Sequence, residues 1–433
     1  MSRTAANSQG AATRAAAVHG WRDALLAVVA GFAAMIVTAS LGLWAAGAAD
    51  LPEGAFPRVV AAVVVMAAGG SVEVSGGAGF LADADASIVV LPLSVTLAGA
   101  LAAGYCFVRP LRHRAVATAG ELGLRGAQLV LLWLLALAGC AALARQTFGI
   151  DVGDNPLGEL GELLDASPSV GFRADMGATL GFGLLWILGL LVLALLVSPR
   201  APLPARLVRF QEAVRPAASA TVLLLLAYVL VALAIGLVVA ATRGHVAETF
   251  AVILLGLPNI AWLGFTVGLG GAWEGQVQGP FGLPMPQVLD DVLRTPDVSR
   301  VDLGTLTAYD GRAWWLLVVA AVLVLGAAVL TAVRSSARVR PWQHAVRLGV
   351  ALALAALAVS LLGNVEARFG LSLLGIGDVD GLGGRVELSP LLWRNVGVAL
   401  LWGAAAGFLA GLLAPRLRHH GEAPARPPGQ GPG

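Results

Sequence analysis

The sequence predicts an all-α, polytopic membrane protein: about eight full spans plus two broken or re-entrant apolar segments, arranged as two parallel pseudo-repeats. Three observations predict it. The chain of 433 residues is 58% hydrophobic and only 12% charged, and its mean hydropathy of +0.82 lies outside the range of soluble globular domains. Long apolar runs recur along it, separated alternately by arginine-rich and acidic connectors. Finally, short sequence matches recur between its two halves.

Taken in order, residues 1–20 are rich in Ala, Ser and Arg, show no apolar period, and read as a disordered tail. Residues 24–48 form an apolar run long enough for a hydrocarbon core of roughly 30 Å. Ala46-Gly47-Ala48 resembles a signal-peptidase site, but the run exceeds a usual signal core, so an uncleaved first span is expected. Further spans are expected at residues 88–107, 128–144, 177–197, 217–241, 314–333, 346–362 and 396–413. Two apolar segments are irregular. Residues 59–70 are too short to cross, and residues 249–271 are interrupted by Pro258-Asn259. The tail 416–433 is Pro/Gly-rich and expected to be disordered, its His419-His420 pair solvated.

Charge sets the expected orientation. Arg109, Arg112, Arg114 and Arg125 share one connector, Arg200, Arg206, Arg209 and Arg215 a second, and Arg334, Arg338, Arg340 and Arg347 a third. The positive-inside rule assigns these, and both termini, to the cytoplasm. The acidic stretches 151–175, 274–310 and 366–387 are then outside. With those ends fixed, neither 59–70 nor 249–271 has a crossing left to make, so both are expected to re-enter from the outer face. Non-helical backbone at that depth needs protein or water to satisfy its polar groups. The outer loops also contain short amphipathic pieces, at Leu157, Leu160 and Leu163-Leu164 and at Val288-Leu289 and Val292-Leu293, read as interfacial helices.

Glu73 and Glu274 each follow a Gly-Gly pair and stand 201 residues apart; Gly181, Trp186 and Arg200 recur 216 residues later as Gly397, Trp402 and Arg416. These matches divide the chain into a first membrane repeat at 21–215 and a second at 216–415, both beginning and ending inside, as a parallel repeat requires.

Among candidate functional residues, Glu73 and Glu274 come first. A carboxylate at membrane depth costs about 2.5 to 3.5 kcal/mol on insertion scales, so one reading is a cation or proton site lined by glycine carbonyls. The other is that both glutamates have emerged into water. Asn259, beside Pro258, is placed to satisfy groups freed in a broken helix. Arg173 and Arg394 precede the last span of each half, as anion partners or as snorkelling interfacial charges. Gly403, Gly407 and Gly411, and Gly177 and Gly181 in the other half, are spaced by four and suit close helix packing, within the chain or against a second copy or another membrane protein.

Several chemistries are excluded. All 28 basic Lys/Arg positions are Arg, so neither a phosphate-loop lysine nor a Schiff-base lysine exists. Metalloprotease and serine-hydrolase signatures are missing, the six histidines are scattered, and no metal, cofactor or catalytic residue is expected. The basic connectors are short and without interleaved aromatics, which argues against nucleic acid. Cys106 and Cys140 lie in apolar segments, where a thiol packs as a small hydrophobe.

Gly69-Gly70-Ser71-Val72, Leu91-Pro92-Leu93, and Leu257-Pro258-Asn259-Ile260-Ala261-Trp262 running into Gly268-Leu269-Gly270-Gly271-Ala272-Trp273 together resemble the streptophobe family, multi-spanning proteins of GC-rich filamentous bacteria. The resemblance implies a plasma-membrane location and carries no catalytic residues with it. Two functions stay open: a small-solute or ion transporter or channel running between the repeats, and a non-catalytic envelope scaffold or regulator.

Overall fold

The computed structural model describes residues 2–52, 54–77, 82–110, 119–149, 169–198, 205–278, 299–336, 339–373 and 384–419. Its helices are α1 (Ser2–Ala45), α2 (Ala55–Ala67), α3 (Leu93–Val108), α4 (Ala119–Leu143), α5 (Met176–Val197), α6 (Ala205–Arg243), α7 (Val246–Gly268), α8 (Leu303–Tyr309), α9 (Trp315–Arg334), α10 (Pro341–Leu362) and α11 (Leu392–His419). Among the described residues, eight of these are long and apolar enough to cross a membrane: α1, α4, α5, α6, α7, α9, α10 and α11. The protein is an all-α polytopic membrane protein in this sense. Exposed tryptophans mark both ends of the bundle, Trp21 and Trp342 at one and Trp44, Trp314, Trp315 and Trp393 at the other, as in an interfacial aromatic belt.

Each half has its own apolar core. In the first, Trp133 is fully buried between Phe32 and Trp186, with ring centroids 4.7 Å away on either side. In the second, Phe265 meets Tyr228 edge-on at 5.2 Å among Leu348, Leu352 and the alanines of α9 and α11.

The sequence reading missed a sheet. Eight antiparallel strands, β1 (Val72–Gly77), β2 (Ala82–Val89), β3 (Arg145–Gly149), β4 (Ser169–Ala174), β5 (Ala272–Gln278), β6 (Ser299–Asp302), β7 (Val365–Leu373) and β8 (Gly384–Pro390), lie at one end of the bundle in the order β3-β4-β1-β2-β7-β8-β5-β6. Strands alternate faces every residue, and these segments alternate in chemistry. Val72, Phe172, Ala174, Trp273, Val301 and Val386 are buried or half-buried, whereas their neighbours Glu73, Arg173 and Arg300 are exposed. The apolar face therefore packs on the helices, and the polar face meets water.

Four expectations need correction. Residues 249–271 are not broken: α7 is continuous through Pro258. The span expected at 88–107 is divided, since Ile88 and Val89 belong to β2 and the helix starts at Leu93. At 16 residues α3 is about 24 Å long, shorter than a full crossing. The tail expected to be disordered at 1–20 is helical from Ser2, its alanines being the strongest helix formers. The boundary between 215 and 216 falls inside α6, which carries Pro216 in its interior. Short α2 agrees with the reading of 59–70 as too short to cross. The amphipathic pieces at 157–164 and 288–293, and the tail beyond residue 419, lie outside the described residues.

Candidate functional site

The glycine pairs are helix terminators. At the end of α2 the Gly70 N–H donates to the Val65 carbonyl and the Gly69 N–H to that of Met66; at the end of α7, Gly271 donates to Thr266 and Gly270 to Val267, all at 2.9 to 3.0 Å. This is the Schellman arrangement, which needs a left-handed residue. Gly69 (φ 92°) and Gly270 (φ 98°) supply it. The second glycine of each pair is required by crowding. A Cβ on Gly70 would lie 2.6 Å from Thr179 Oγ1, and one on Gly271 2.5 Å from Asn395 Oδ1. The pairs turn the chain from a helix into β1 and β5.

Glu73 and Glu274 follow as the second residue of β1 and the third of β5. Glu73 stands opposite Arg173 across β1 and β4, with the charged groups 4.0 Å apart. Glu274 stands opposite Arg300 across β5 and β6, 3.3 Å apart. Their side chains are 63% and 40% exposed, so both sit on the exposed face of the sheet. Arg145, opposite Arg173 on β3, extends the same row. Arg394 does not seek an anion from outside: its Nε donates to the Gly270 carbonyl at 3.1 Å and its Nη1 lies 3.6 Å from Asp302. Asp302 in turn caps α8 through the Thr305 N–H.

Asn259 acts as a staple. Its Oδ1 accepts from the Leu93 N–H at 3.2 Å and its Nδ2 donates to the Leu91 carbonyl at 2.9 Å, tying α7 to the start of α3. Ser94 also bonds to the α7 backbone. Its hydroxyl donates to the Ile253 carbonyl (2.8 Å) and accepts from the Leu257 N–H (3.1 Å), bonding to two backbone groups of the turn before Pro258. A side chain inserted into the ladder one turn before a proline is a known cause of bending.

Asn395 is a second staple. It is 2% exposed, accepts from the Ala272 N–H at 2.8 Å and donates to Ser360 at 3.1 Å, joining β5, α10 and α11. Trp273 Nε1 donates to Thr266 (2.9 Å) and Trp402 Nε1 to the Leu269 carbonyl (2.9 Å), completing the satisfaction of polar groups around the α7 terminus.

The glycine rows separate. Cβ atoms at Gly403, Gly407 and Gly411 would lie 2.7 Å from the Gly349 Cα, 2.6 Å from the His344 carbonyl oxygen and 2.8 Å from the Pro341 Cα, so α10 and α11 touch through their backbones. Gly177 and Gly181 make no such contact; around Gly181 there is open space, and Gly177 meets only the carboxylate of Asp175, which caps α5. Within α5 the close approach falls on Gly183, against Leu137 of α4.

At the end of the bundle opposite the sheet, a cleft among Gly20, Asp23, Ala24, Phe107, Pro110 and Arg125 is of water size; Asp23 and Arg125 pair there at 3.6 Å. No group of three or more potential metal ligands occurs among the described residues. Ser94, Thr179, Asn395 and Arg300 escaped the sequence reading. Only Arg300 had a legible signal, the alternation of Ser299-Arg300-Val301-Asp302.

No family model, no curated protein and no solved structure matches this chain.

Proposed function

We propose that the protein is a non-catalytic scaffold or regulator of the cell envelope: a helical bundle that holds an amphipathic sheet against the outer face of the plasma membrane. The observation that carries this reading is the position of Glu73 and Glu274, which are exposed and paired with Arg173 and Arg300 on the sheet. The transport reading draws on these two carboxylates as ionisable groups at membrane depth, and exposed cross-strand ion pairs do not support it. Of the polar residues singled out above, buried Asn395 and half-buried Asn259 and Ser94 are occupied in holding helices together.

In this reading the two halves are a parallel duplication. Support comes from the strand order, since β3-β4-β1-β2 and β7-β8-β5-β6 are the same path through corresponding strands. The arginine-rich connectors are cytoplasmic, as are both termini, and the sheet is outside. The resemblance to the streptophobe family supplies the choice of the plasma membrane. α7 does not cross. Its first half touches Gly42 of α1 and Ser94 of α3, and its last residue Leu316 of α9, all near the sheet ends of their helices. It lies along the outer leaflet across the bundle.

Purification in mild detergent tests the proposal: a stoichiometric partner is expected, and proteoliposomes should show no solute flux above protein-free controls. Flux that disappears in the Glu73→Gln/Glu274→Gln variant would overturn it.

A further inference from the structure

The order of the sheet leaves its ends unlike each other. In an open sheet with a twofold axis at its centre the same strand would meet itself there, but here β2 of the first half meets β7 of the second. Register makes the correspondence explicit. Glu73 stands opposite Ser87 and Glu274 opposite Arg300, so β6 occupies beside β5 the place that β2 occupies beside β1. Likewise β3 lies beside β4 as β7 lies beside β8. The β2·β7 joint is therefore head-to-tail, and among the described residues its two complementary edges recur unpaired, β6 at one end of the sheet and β3 at the other.

We infer that a second copy of this chain docks head-to-tail in the same membrane, its β6 pairing antiparallel with β3 and repeating the joint already made by β2 and β7. An unpaired edge is a template for another strand, and a heterologous contact can be repeated between copies. The edge of β3 is oriented for it. Ala144 accepts from the Ala174 N–H on the β4 side, so by alternation the backbone groups of Arg145 and Thr147 point away from β4. The bilayer helps, because it holds every copy in one orientation and at one height, the two conditions strand pairing needs.

One side chain stands in the way. Arg58 of α2 donates to the outward carbonyl of Arg145 at 3.5 Å and to the side chain of Gln146. Its counterpart 201 residues on is Asn259, which bonds to Leu91 and Leu93 of the other half and leaves the β7 edge to β2. Arg58 thus covers the base of the β3 edge and limits how far the pairing runs.

The test uses full-length protein in native membranes, on a background with Cys106→Ala and Cys140→Ala. Thr147→Cys and Arg300→Cys are introduced on separately tagged copies and treated with a short bis-maleimide. Expected is a band at twice the monomer mass carrying both tags when the copies are coexpressed, none with either variant alone, and a larger crosslinked fraction when Arg58→Asn is added to the Thr147→Cys copy. Three results would overturn the inference: no crosslink in the mixed membranes although both variants elute as folded monomers, a crosslink with Thr147→Cys alone, or an intrachain crosslink in the Thr147→Cys/Arg300→Cys double variant, which would mean that the sheet closes on itself.

Discussion

α2 and α7 hold corresponding places in the two halves, each ending in a Gly-Gly turn that delivers a glutamate to the sheet, yet α2 has 13 residues and α7 has 23. The added length of α7 lies before Pro258 and reaches across to α1 and α3. There Ser94 and Asn259 bond it to the other half, while Arg58 in α2 turns back to β3 of its own. The same turn serves both helices, but only α7 joins halves. Packing differs in the same sense: α10 and α11 meet backbone to backbone, whereas α4 and α5 meet through side chains such as Leu137, Trp133 and Trp186.

The largest expected effect separates the two helix pairs. Gly407→Leu must push a side chain into the His344 carbonyl, 2.6 Å from where its Cβ would lie, and overpacking against backbone costs about 3 kcal/mol or more. Gly181→Leu enters open space and gains helix propensity of up to about 1 kcal/mol. Thermal unfolding in detergent should show a clear loss for the first and none for the second. Equal losses would mean that α5 packs like α11 after all.

Next come the staples. Asn259→Ala leaves the Leu93 N–H and the Leu91 carbonyl without their partner, a loss of about 1 to 3 kcal/mol. Arg58→Ala removes an exposed contact and should change stability by less than about 0.5 kcal/mol. Hydrogen exchange should locate the difference, with protection falling at β2 and β7 in the Asn259 variant only.

Much of this division was legible in the sequence, and the rest was not, for physical reasons. The hydropathy of α1, α4, α5, α6, α9, α10 and α11 is the property that membranes select, so their places could be read directly. The sheet was also written in the chain, as the alternation in Val72-Glu73-Val74-Ser75 and Val365-Glu366-Ala367-Arg368, but short strands give a weak signal beside long apolar runs, and acidic residues drew the reading toward connectors. Asn259 stood out because of Pro258. Its partner Ser94 could not, since its role depends on a contact 163 residues away. The glycines show the limit most plainly: spacing by four describes both rows, and only the facing helix distinguishes Gly407 from Gly181.

Gly69 and Gly270 test whether the two turns are equivalent. Ala at a left-handed position costs about 1 to 2 kcal/mol, so Gly69→Ala and Gly270→Ala should each lose that much, at φ values that differ by only a few degrees. Equal losses by thermal unfolding would support one turn used twice. A much larger loss at Gly270, whose helix carries the joint, would show that the β5 end depends on α7 more than β1 does on α2.

The smallest effect is expected where the sequence first pointed. Glu73→Gln and Glu274→Gln each remove one charge from an exposed cross-strand pair, 4.0 Å and 3.3 Å from its arginine. Such pairs contribute about 0 to 1 kcal/mol and are screened by salt. The closer, less exposed Glu274 pair should lose slightly more than the Glu73 pair, and raising the ionic strength of the buffer should erase the difference. A loss of several kcal/mol at either position, independent of salt, would place that carboxylate in a buried site and break the parallel between the two halves at its most visible point.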